Sequence, residues 1–232
     1  MSDLSKYLII AAAGSSSRIN NETPKQFLVV NGKPVIVWAL EIFKDYVEIR
    51  NMVIVISKNH EEYWNNIVKY YPEFNECKIA FGGPQRFHSI KSGLRFIPDN
   101  ALVAVHDAAR PMVSSKTIEN CFSLAVKKGN AVPVINFSES VRQKTGITNT
   151  SMDRKSLKIV QTPQIFNGKI LKNAYQQVFN EDFTDDASVV EKDGNTIYLT
   201  DGNSENIKIT TSLDLKLASF ILPSSFPSTD ME

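Results

Sequence analysis

The sequence predicts an α/β protein whose central sheet is mostly parallel and covered by helices on both faces. Apolar, β-branched runs alternate along the chain with segments of helical periodicity, and the runs are continuously apolar, as in strands buried on both faces. With 232 residues, of which 42% are hydrophobic, the chain is long enough to bury one sizeable core. We therefore expect one Rossmann-like domain over 1–222, with its ligand site at the carboxyl ends of the strands.

The first part of the chain supplies five predicted strands and four predicted helices. Each strand is a short run rich in Val, Ile and Ala, and these runs occupy 7–13, 51–57, 77–83, 101–107 and 130–136. Each helix repeats apolar residues every three or four positions, as Val35, Trp38 and Ile42 do in the first one. The helices occupy 34–46, 60–71, 86–97 and 114–129.

The pattern changes at about Asn136, where a polar stretch begins. Residues 136–158 contain the turn signal "KTG" and flanks that could pair as an antiparallel hairpin, so we interpret them as an arm projecting from the domain. We expect the tail over 223–232 to be frayed. Between arm and tail we expect "VQTPQIF", a helix over 168–179, a capped helix in "TDDASVVEKDG", a strand in "TIYLTDG", the segment "NIKIT" and a helix over 211–222.

Composition argues against several classes of function. The 26 Lys and Arg against 25 Asp and Glu leave a formal charge of +1, which disfavours nucleic-acid binders and polybasic membrane anchors. No apolar stretch approaches the roughly 18 to 20 residues of a membrane span. The run "KYLIIAAAG" also has the order of a short secretory signal, but its apolar part is brief, so we expect a strand. Cys77 and Cys121 lie outside any metal-binding spacing and predict reduced core thiols in a cytoplasmic protein.

The stretch "AAAGSSSRINNETPKQF" at 11–27 predicts a phosphate-binding loop. The strand ends at Gly14, and the three serines that follow would present backbone N–H groups and hydroxyls to phosphate oxygens on a tight turn. Arg18 and Lys25 would add two full charges to the same polyphosphate. Neither GxxxxGK[ST] nor GxGxxG is present, and no acidic residue follows the second strand, which disfavours a dinucleotide cofactor. The alternative is a solvated loop with two surface cations.

The stretch "VHDAARP" places polar residues at the end of the fourth strand. His106 and Asp107 are adjacent in an extended segment and face opposite sides, which argues against a His–Asp catalytic pair. Asp107 suits a magnesium or ribose ligand, and Arg110 could bind a second anion. The alternative is that Asp107 only caps the following turn. Weaker single candidates are the glycines of "GGPQRFHS" at 82–89, Arg154, Thr162 and Lys208.

Taken together, these motifs resemble the cytidylyltransferase family that makes 4-diphosphocytidyl-2-C-methyl-D-erythritol in the non-mevalonate pathway of isoprenoid synthesis. The resemblance covers 7–218 and rests on AAG with a following arginine, then PKQ, GG..R..S, HDAARP, DR with TPQ, TD.AS and NIK.T. It implies a nucleotidyltransferase that uses CTP and magnesium to load 2-C-methyl-D-erythritol 4-phosphate and releases pyrophosphate. It also implies a homodimer in which the arm crosses to the neighbouring subunit.

The resemblance assigns site residues position by position. The catalytic cations that it implies are Arg18, Lys25, Arg154 and Lys208. The contacts to CTP that it implies come from Ala12, Ala13, Gly14, Ser15, Ser16, Ser17, Gly83, Arg86, Ser89, Asp107 and Ala108, with Asp107 also the metal ligand. The contacts to the polyol phosphate that it implies come from Arg110, Ser140, Arg154, Thr162 and Lys208. Of these, Ser140 and Arg154 would serve the neighbour's site.

The implied mechanism agrees with the residues themselves. A phosphate monoester is already an anionic nucleophile, so catalysis reduces to positioning two anions and neutralising the charge between them. This explains why the candidate site is rich in Arg, Lys and backbone amides. The sequence departs from the family's usual residues at Ser16, Ile19, Pro84 and Ser140. Two alternatives stay open, a ribitol 5-phosphate cytidylyltransferase and a non-catalytic nucleotide-binding protein.

Overall fold

The structure, a computed structural model, describes residues 4–14 and 23–224. Its strands, in chain order, are β1 (Lys6–Ala12), β2 (Val29–Val30), β3 (Lys33–Pro34), β4 (Met52–Ile56), β5 (Lys78–Phe81), β6 (Leu102–Asp107), β7 (Asn130–Asn136), β8 (Val141–Thr145), β9 (Thr148–Met152), β10 (Lys158–Val160), β11 (Gln164–Asn167) and β12 (Leu199–Asp201). Its α-helices are α1 (Val35–Phe43), α2 (Glu61–Tyr70), α3 (Arg86–Gly93), α4 (Ser115–Lys128), α5 (Gly168–Ala174), α6 (Asp186–Lys192) and α7 (Ser212–Ile221).

The main sheet is mixed and mostly parallel, as the sequence predicts. The central strand β1 pairs in parallel with β4 on one side and β6 on the other, and β5 extends the sheet beyond β4. On the far side of β6, β11 runs antiparallel between β6 and β7, while β10 pairs antiparallel and β12 parallel with β7. The carboxyl ends of β1, β4, β5 and β6 therefore meet at one edge of the sheet, where a ligand site is expected.

Helices cover both faces of this sheet. In β1, Leu8 and Ile10 face a core that includes side chains of α1, α2 and α4, whereas Ile9 faces a second core that includes side chains of α3, α5 and α6. All three residues are fully buried. This two-sided burial is the physical reason that the strands are continuously apolar in sequence. The predicted α/β architecture is confirmed.

Local capping explains where two of the helices begin and end. The hydroxyl of Ser114 accepts a hydrogen bond from the Thr117 N–H at the start of α4, and Gly129 ends this helix at φ 88°, a left-handed conformation that favours glycine. At the start of α6, Asp185 forms a capping box with Ser188. The capped helix predicted in "TDDASVVEKDG" is therefore confirmed.

Several element bounds differ from the sequence prediction. The helix predicted over 86–97 ends at Gly93 and continues as a 3₁₀ turn, Leu94–Phe96. The helix predicted over 168–179 ends at Ala174, and beyond it the Gln176 and Gln177 N–H groups donate to carbonyls three residues earlier, those of Asn173 and Ala174. The segment "NIKIT", for which no helix or strand was predicted, has no regular secondary structure, and its Ile209 N–H donates to the Ala109 carbonyl of the loop after β6.

A short hairpin, β2–β3, is an element that the sequence patterns did not predict. Its two-residue turn has Asn31 at φ 49° and Gly32 at φ 84°, the positive values that such a turn needs. The Asn31 side-chain amide donates to the Ser219 and Leu222 carbonyls, each at 2.8 Å, and so ties the hairpin to the end of α7.

The arm predicted over 136–158 is present as the hairpin β8–β9, with Gly146 at φ 61° in its turn. Most of its side chains are exposed in the single chain. The chain leaves the sheet at the end of β7 and returns as β10, which pairs with the same strand so that Lys158 lies opposite Asn136. Across 4–14 and 23–224, we find no α-helix with the length and apolar character of a membrane span.

Candidate active site

A cavity of about 440 Å³ opens at the carboxyl ends of the parallel strands, as the sequence predicts for the ligand site. The loop after β1, the turn after β5 and the end of β6 form most of its wall, and the segment after β12 completes it. Its lining residues are Ala11, Ala12, Ala13, Gly14, Lys25, Gln26, Gly83, Pro84, Gln85, Arg86, Ser89, Asp107, Ala108, Ala109, Lys208 and Thr210. Segments far apart in sequence thus form one polar site.

One buried side chain ties the end of β1 to the 3₁₀ turn Lys25–Phe27. Gln26 is only 2% exposed, and its Nε2 donates to the carbonyl oxygens of Ala12 at 2.7 Å and Gly14 at 3.2 Å. These bonds hold the backbone where the predicted phosphate loop begins, and they place the neighbouring Lys25 at the cavity. Four residues of that loop, Ser15, Ser16, Ser17 and Arg18, lie outside the described residues. Their phosphate contacts therefore stay a prediction.

The turn after β5 packs so closely on its neighbours that it requires glycine. A Cβ on Gly82 would lie 2.4 Å from the Ala13 Cβ, and a Cβ on Gly83 would lie 2.5 Å from the His88 Cβ. The Gly83 N–H donates to the hydroxyl of Ser89 at 3.2 Å, which orders the turn. The glycines therefore bring the backbone of this turn against the first loop at the cavity wall.

Three cations converge on the Asp107 carboxylate at the end of β6. The Lys208 Nζ lies 2.8 Å from Oδ2, the Arg86 Nε lies 3.3 Å from Oδ1, and the Arg110 Nε lies 3.8 Å from Oδ2. Burial alone would raise the pKa of Asp107, but Arg86, Lys208 and Arg110 outweigh it and hold that pKa well below its usual range. The carboxylate therefore stays ionised and offsets the mutual repulsion of the three cations.

Arg110 is itself held in a fixed position. Its Nη1 donates to the Asn206 carbonyl at 2.7 Å, and its side chain is 13% exposed. Burial lowers the pKa of Arg110, and the facing Asp107 opposes that effect. Lys208 is the most exposed of the three cations around Asp107, with 39% of its side chain accessible, and it lines the cavity.

His106 lies behind Asp107 and takes no part in the cavity wall. The ring contacts the Thr162 hydroxyl through Nδ1 at 3.1 Å and the Arg110 carbonyl through Nε2 at 2.9 Å. Burial lowers the pKa of His106 to about 4, so the ring is neutral at pH 7. The ring nitrogens thus bond Thr162 and Arg110 and not the Asp107 carboxylate, which agrees with the two side chains facing opposite sides of the strand.

Thr162, a candidate substrate residue, is buried and lies outside the cavity lining. It is 5% exposed, and its hydroxyl accepts a hydrogen bond from the Asp107 N–H at 3.1 Å. It does not line the cavity. Its hydroxyl therefore acts on the site through the backbone of Asp107, as an anchor for the end of β6.

Arg86 is held from behind by a carboxylate that sequence reasoning did not assign to the site. Its Nη1 and Nη2 donate to the two oxygens of Asp186 at 3.0 and 2.7 Å, and the Tyr175 hydroxyl donates to the same carboxylate at 2.6 Å. Asp186 is fully buried. Asp186 occupies the unspecified position of the motif TD.AS, and the sequence indicated only a helix start there. Gln26 was missed in the same way, although PKQ contains it.

Ser140 and Arg154, the arm residues assigned to a neighbour's site, do not line this cavity. Both are exposed, and the Arg154 Nη1 donates to the Ser138 carbonyl at 2.6 Å within the arm. Their contribution to a site in a second subunit stays a prediction.

The described residues offer one carboxylate to the predicted magnesium ion. Over these residues there is no group of three or more His, Cys, Asp or Glu side chains able to hold a metal. Both Asp107 oxygens already face cations, so Asp107 alone does not form a resident metal site. It fits an ion that arrives on nucleotide phosphates, since such a Mg²⁺ usually takes only one or two carboxylates from the protein.

Comparison with known proteins gives consistent results. Residues 7–224 match the family model described as IspD, 2-C-methyl-D-erythritol 4-phosphate cytidylyltransferase. A protein of that name from Phocaeicola vulgatus is 41% identical over 94% of this chain and 100% of its own length, and one from Bacteroides fragilis is 42% identical over 92% and 98%. The structure of the Francisella tularensis protein of that name superposes with a TM-score of 0.76 at 30% identity, covering 94% of this chain and 100% of its own.

Proposed function

Because this chain belongs to the 2-C-methyl-D-erythritol 4-phosphate cytidylyltransferase family, we propose that it transfers CMP from CTP to 2-C-methyl-D-erythritol 4-phosphate and releases pyrophosphate. One observation carries the proposal: Arg86, Arg110 and Lys208 converge on Asp107 in the cavity that Lys25 also lines. Both substrates are phosphate anions, and this cavity presents fixed positive charge to them.

The reaction needs no proton-abstracting side chain. An oxygen of the acceptor's phosphate attacks the α-phosphorus of CTP, a new P–O–P bond forms, and the bond to pyrophosphate breaks on the opposite side. The attacking oxygen is already anionic, so the protein contributes position and charge neutralisation. The neutral, buried His106 and the two buried cysteines supply no catalytic group to the cavity, which agrees with this scheme.

We assign the nucleotide to the side of the cavity formed by β1 and β5. The triphosphate contacts the backbone from Ala12 to Gly14, with the serines at 15–17, Arg18 and Lys25. The cytidine lies by Gly83, Arg86 and Ser89, and the ribose lies by Asp107 and Ala108. These residues supply backbone N–H groups and cations where charge accumulates on the α-phosphate. Mg²⁺ bound to the CTP phosphates, with Asp107 as the protein ligand, would neutralise charge on the leaving pyrophosphate.

We assign the acceptor to the side of Arg110 and Lys208, in front of Thr162. The partner subunit's Ser140 and Arg154 would complete this half of the site in a homodimer with exchanged arms. The exposed cations and hydroxyls of the arm suit a phosphate in a neighbouring site. The buried, free thiols Cys77 and Cys121 suit a reducing compartment, and we place the enzyme in the cytoplasm.

The test is pyrophosphate release with CTP, Mg²⁺ and either 2-C-methyl-D-erythritol 4-phosphate or ribitol 5-phosphate. We expect release with the first acceptor at a kcat/KM at least a hundredfold above that with the second. A preference for ribitol 5-phosphate would identify the chain as a ribitol 5-phosphate cytidylyltransferase. CTP binding without release with either acceptor would identify a nucleotide-binding protein.

The exchanged arm is tested by mixing inactive Lys25→Ala and Arg154→Ala subunits under conditions of subunit exchange. One of the two sites in each hybrid would be wholly native, so about a quarter of wild-type activity should return when half of the dimers are hybrids. The control mixes Lys25→Ala with Lys208→Ala, which both alter the same subunit's site and should restore nothing. If exchanged Lys25→Ala and Arg154→Ala dimers stay inactive, Arg154 does not act across the dimer.

A further inference from the structure

We propose that the buried Asp186 is a positioning residue that fixes the Arg86 guanidinium against Asp107, and that Arg86, although it lies beside the cytidine, acts through this clamp rather than by hydrogen bonds that distinguish the base. The inference rests on the proposed function and deepens it, because it separates the residues that recognise the base from those that order the charged centre. The clamp consists of Asp186, Arg86 and Asp107, with the Tyr175 hydroxyl on Asp186.

The first argument is the geometry of the ion pair. The two Nη atoms of Arg86 bond the two oxygens of Asp186 in a bidentate arrangement, at 3.0 and 2.7 Å. Such a pair fixes the plane of the guanidinium as well as its position. With both Nη atoms turned to Asp186, the Nε faces the Asp107 Oδ1 at 3.3 Å. The orientation of Arg86 therefore determines one of the contacts of Asp107.

The second argument is where the members of the clamp lie. Arg86 lines the cavity, whereas Asp186 is fully buried and does not. Asp186 can therefore influence a bound nucleotide only through a neighbour, and Arg86 is the neighbour that reaches the cavity. Of the five N–H groups of an arginine, three are engaged by the two carboxylates, so few remain to bind a base.

The third argument is that the surrounding structure holds Asp186 rigidly. The Gln164 side chain accepts from the Ala187 N–H at 2.8 Å, next to Asp186 at the start of α6. The Tyr175 ring stacks on Phe87, the neighbour of Arg86, with centroids 4.7 Å apart and planes 15° apart. The same tyrosine thus bonds Asp186 through its hydroxyl and packs through its ring on the residue next to Arg86.

The fourth argument is energetic. A buried ion pair is weak evidence for stability, since well-packed apolar residues of similar volume often stabilise a protein as well or better. A charged pair at this place is better explained by what it orients than by the stability it adds. The Asp107 carboxylate needs such orientation, because three cations surround it in the cavity.

The test measures dissociation constants for CTP and for UTP by calorimetry, with no acceptor present, in wild type, Asp186→Asn and Arg86→Lys. Disruption of the clamp should raise the dissociation constants for CTP and UTP about tenfold and by the same factor. The ratio of the two dissociation constants should stay within twofold of its wild-type value. The double variant Asp186→Asn with Arg86→Lys should have nucleotide dissociation constants within threefold of those of Arg86→Lys alone, since the effects of coupled residues do not add. The kcat for transfer should fall at least tenfold in each variant, with KM for the acceptor unchanged.

The matched control is Asp185→Asn, which alters the neighbouring carboxylate at the same helix start, where asparagine also caps well. The Asp185 carboxylate accepts from the Gln164 Nε2 and the Ser188 N–H and does not pair with Arg86. This variant therefore disturbs the helix start without removing the Arg86 partner, and it should bind both nucleotides within about threefold of wild type. Equal losses in Asp185→Asn and Asp186→Asn would show general displacement of α6 and would overturn the clamp.

Two further outcomes would overturn the inference. One is a folded Asp186→Asn with wild-type dissociation constants and kcat. The other is an Arg86→Lys that loses tenfold or more of its preference for CTP over UTP, which would make Arg86 a base-recognition residue. If Asp186→Asn does not fold, Tyr175→Phe replaces it, because it removes only the hydroxyl on Asp186 and keeps the ring on Phe87. Tyr175→Phe should weaken both nucleotides equally, by about twofold to fivefold, and no change would overturn the clamp.

The nucleotide readout distinguishes failure of the clamp from failure of the proposed function. Absence of pyrophosphate release in the wild type would refute the function, yet the calorimetric comparison would still decide the clamp. If the wild type is active but the variants contradict the clamp, the proposed function still stands.

Discussion

Replacement of Lys208 by methionine should separate catalysis from stability. The Lys208 Nζ lies 2.8 Å from the Asp107 Oδ2, and the lysine side chain is 39% exposed. A pair this exposed contributes about 1 kcal/mol or less to the free energy of unfolding, because water and salt screen it. Asp107 keeps Arg86 and Arg110 as partners, so the substitution leaves no isolated buried charge.

The cost to catalysis should be far larger. Loss of one fixed donor at a developing charge typically raises the barrier by about 3 to 4 kcal/mol, which lowers kcat by roughly a hundredfold to a thousandfold. A stability loss of about 1 kcal/mol would shift Tm by roughly 2 to 4 °C in a protein of this size. Lys208→Met should therefore be folded, slightly less stable and nearly inactive.

The assay is steady-state pyrophosphate release at saturating CTP and acceptor, with thermal unfolding followed by circular dichroism. Lys172→Met is the matched control, since the Lys172 Nζ lies 2.7 Å from Asp99 Oδ1, the lysine is 29% exposed, and it does not line the cavity. It should show a similar Tm shift and wild-type kcat. A folded Lys208→Met that keeps a third or more of wild-type kcat would refute the reasoning.

Three other predictions concern buried groups. The pKa of His106 falls from 6.5 in the unfolded chain to about 4 in the fold, so the unfolded chain binds more protons between these values. The free energy of unfolding should therefore drop by roughly 3 kcal/mol as pH falls from about 6.5 to about 4, a slope that urea titrations should find removed in His106→Gln. Gln26→Leu removes the donor to the buried Ala12 carbonyl and to the Gly14 carbonyl, and it should lower the free energy of unfolding by about 1 to 3 kcal/mol and weaken CTP binding roughly tenfold, as denaturation and calorimetry would measure. Burial raises the pKa of Cys77 and Cys121 to about 12, so a disulfide reagent at pH 8 should label both thiols in urea and neither in the native protein.

Each of these predictions has an outcome that contradicts it. An equal acid slope in wild type and His106→Gln would mean that other groups cause the loss of stability. Unchanged CTP affinity in Gln26→Leu would show that the bonds to Ala12 and Gly14 do not order the loop for the nucleotide. Rapid labelling of native Cys77 or Cys121 would mean that the core around that thiol opens readily.

Local patterns in the sequence predicted the strands of the parallel half well. Residues 52–56 and 102–105 are continuous apolar runs, and such runs can be recognised in the sequence without knowledge of the neighbouring strand. The antiparallel position of β11 between β6 and β7 depends on contacts between distant segments, which no local pattern reports. The early end of α5 was not predicted either, because the backbone changes there to hydrogen bonds between residues three apart, at Gln176 and Gln177.

The candidate site was predictable where a residue type alone indicates chemistry. Asp107 was identified because a carboxylate at a strand end is unusual in a buried run. The convergence of Arg86, Arg110 and Lys208 on it was not, since the fold brings these cations together from three segments. Asp186 was missed for a related reason: an aspartate at a helix start resembles a cap in sequence, and only the structure reveals its arginine partner.

The closure of the arm at its base has a consequence for how the protein could be re-engineered. Asn136 and Lys158 lie opposite one another in the paired strands β7 and β10. The arm therefore starts and ends at the same residue pair of the sheet. Replacing it with a tight two-residue connection would leave every other strand in register. Such a trimmed chain would keep the main sheet and the cavity, so nucleotide binding could be measured without the arm.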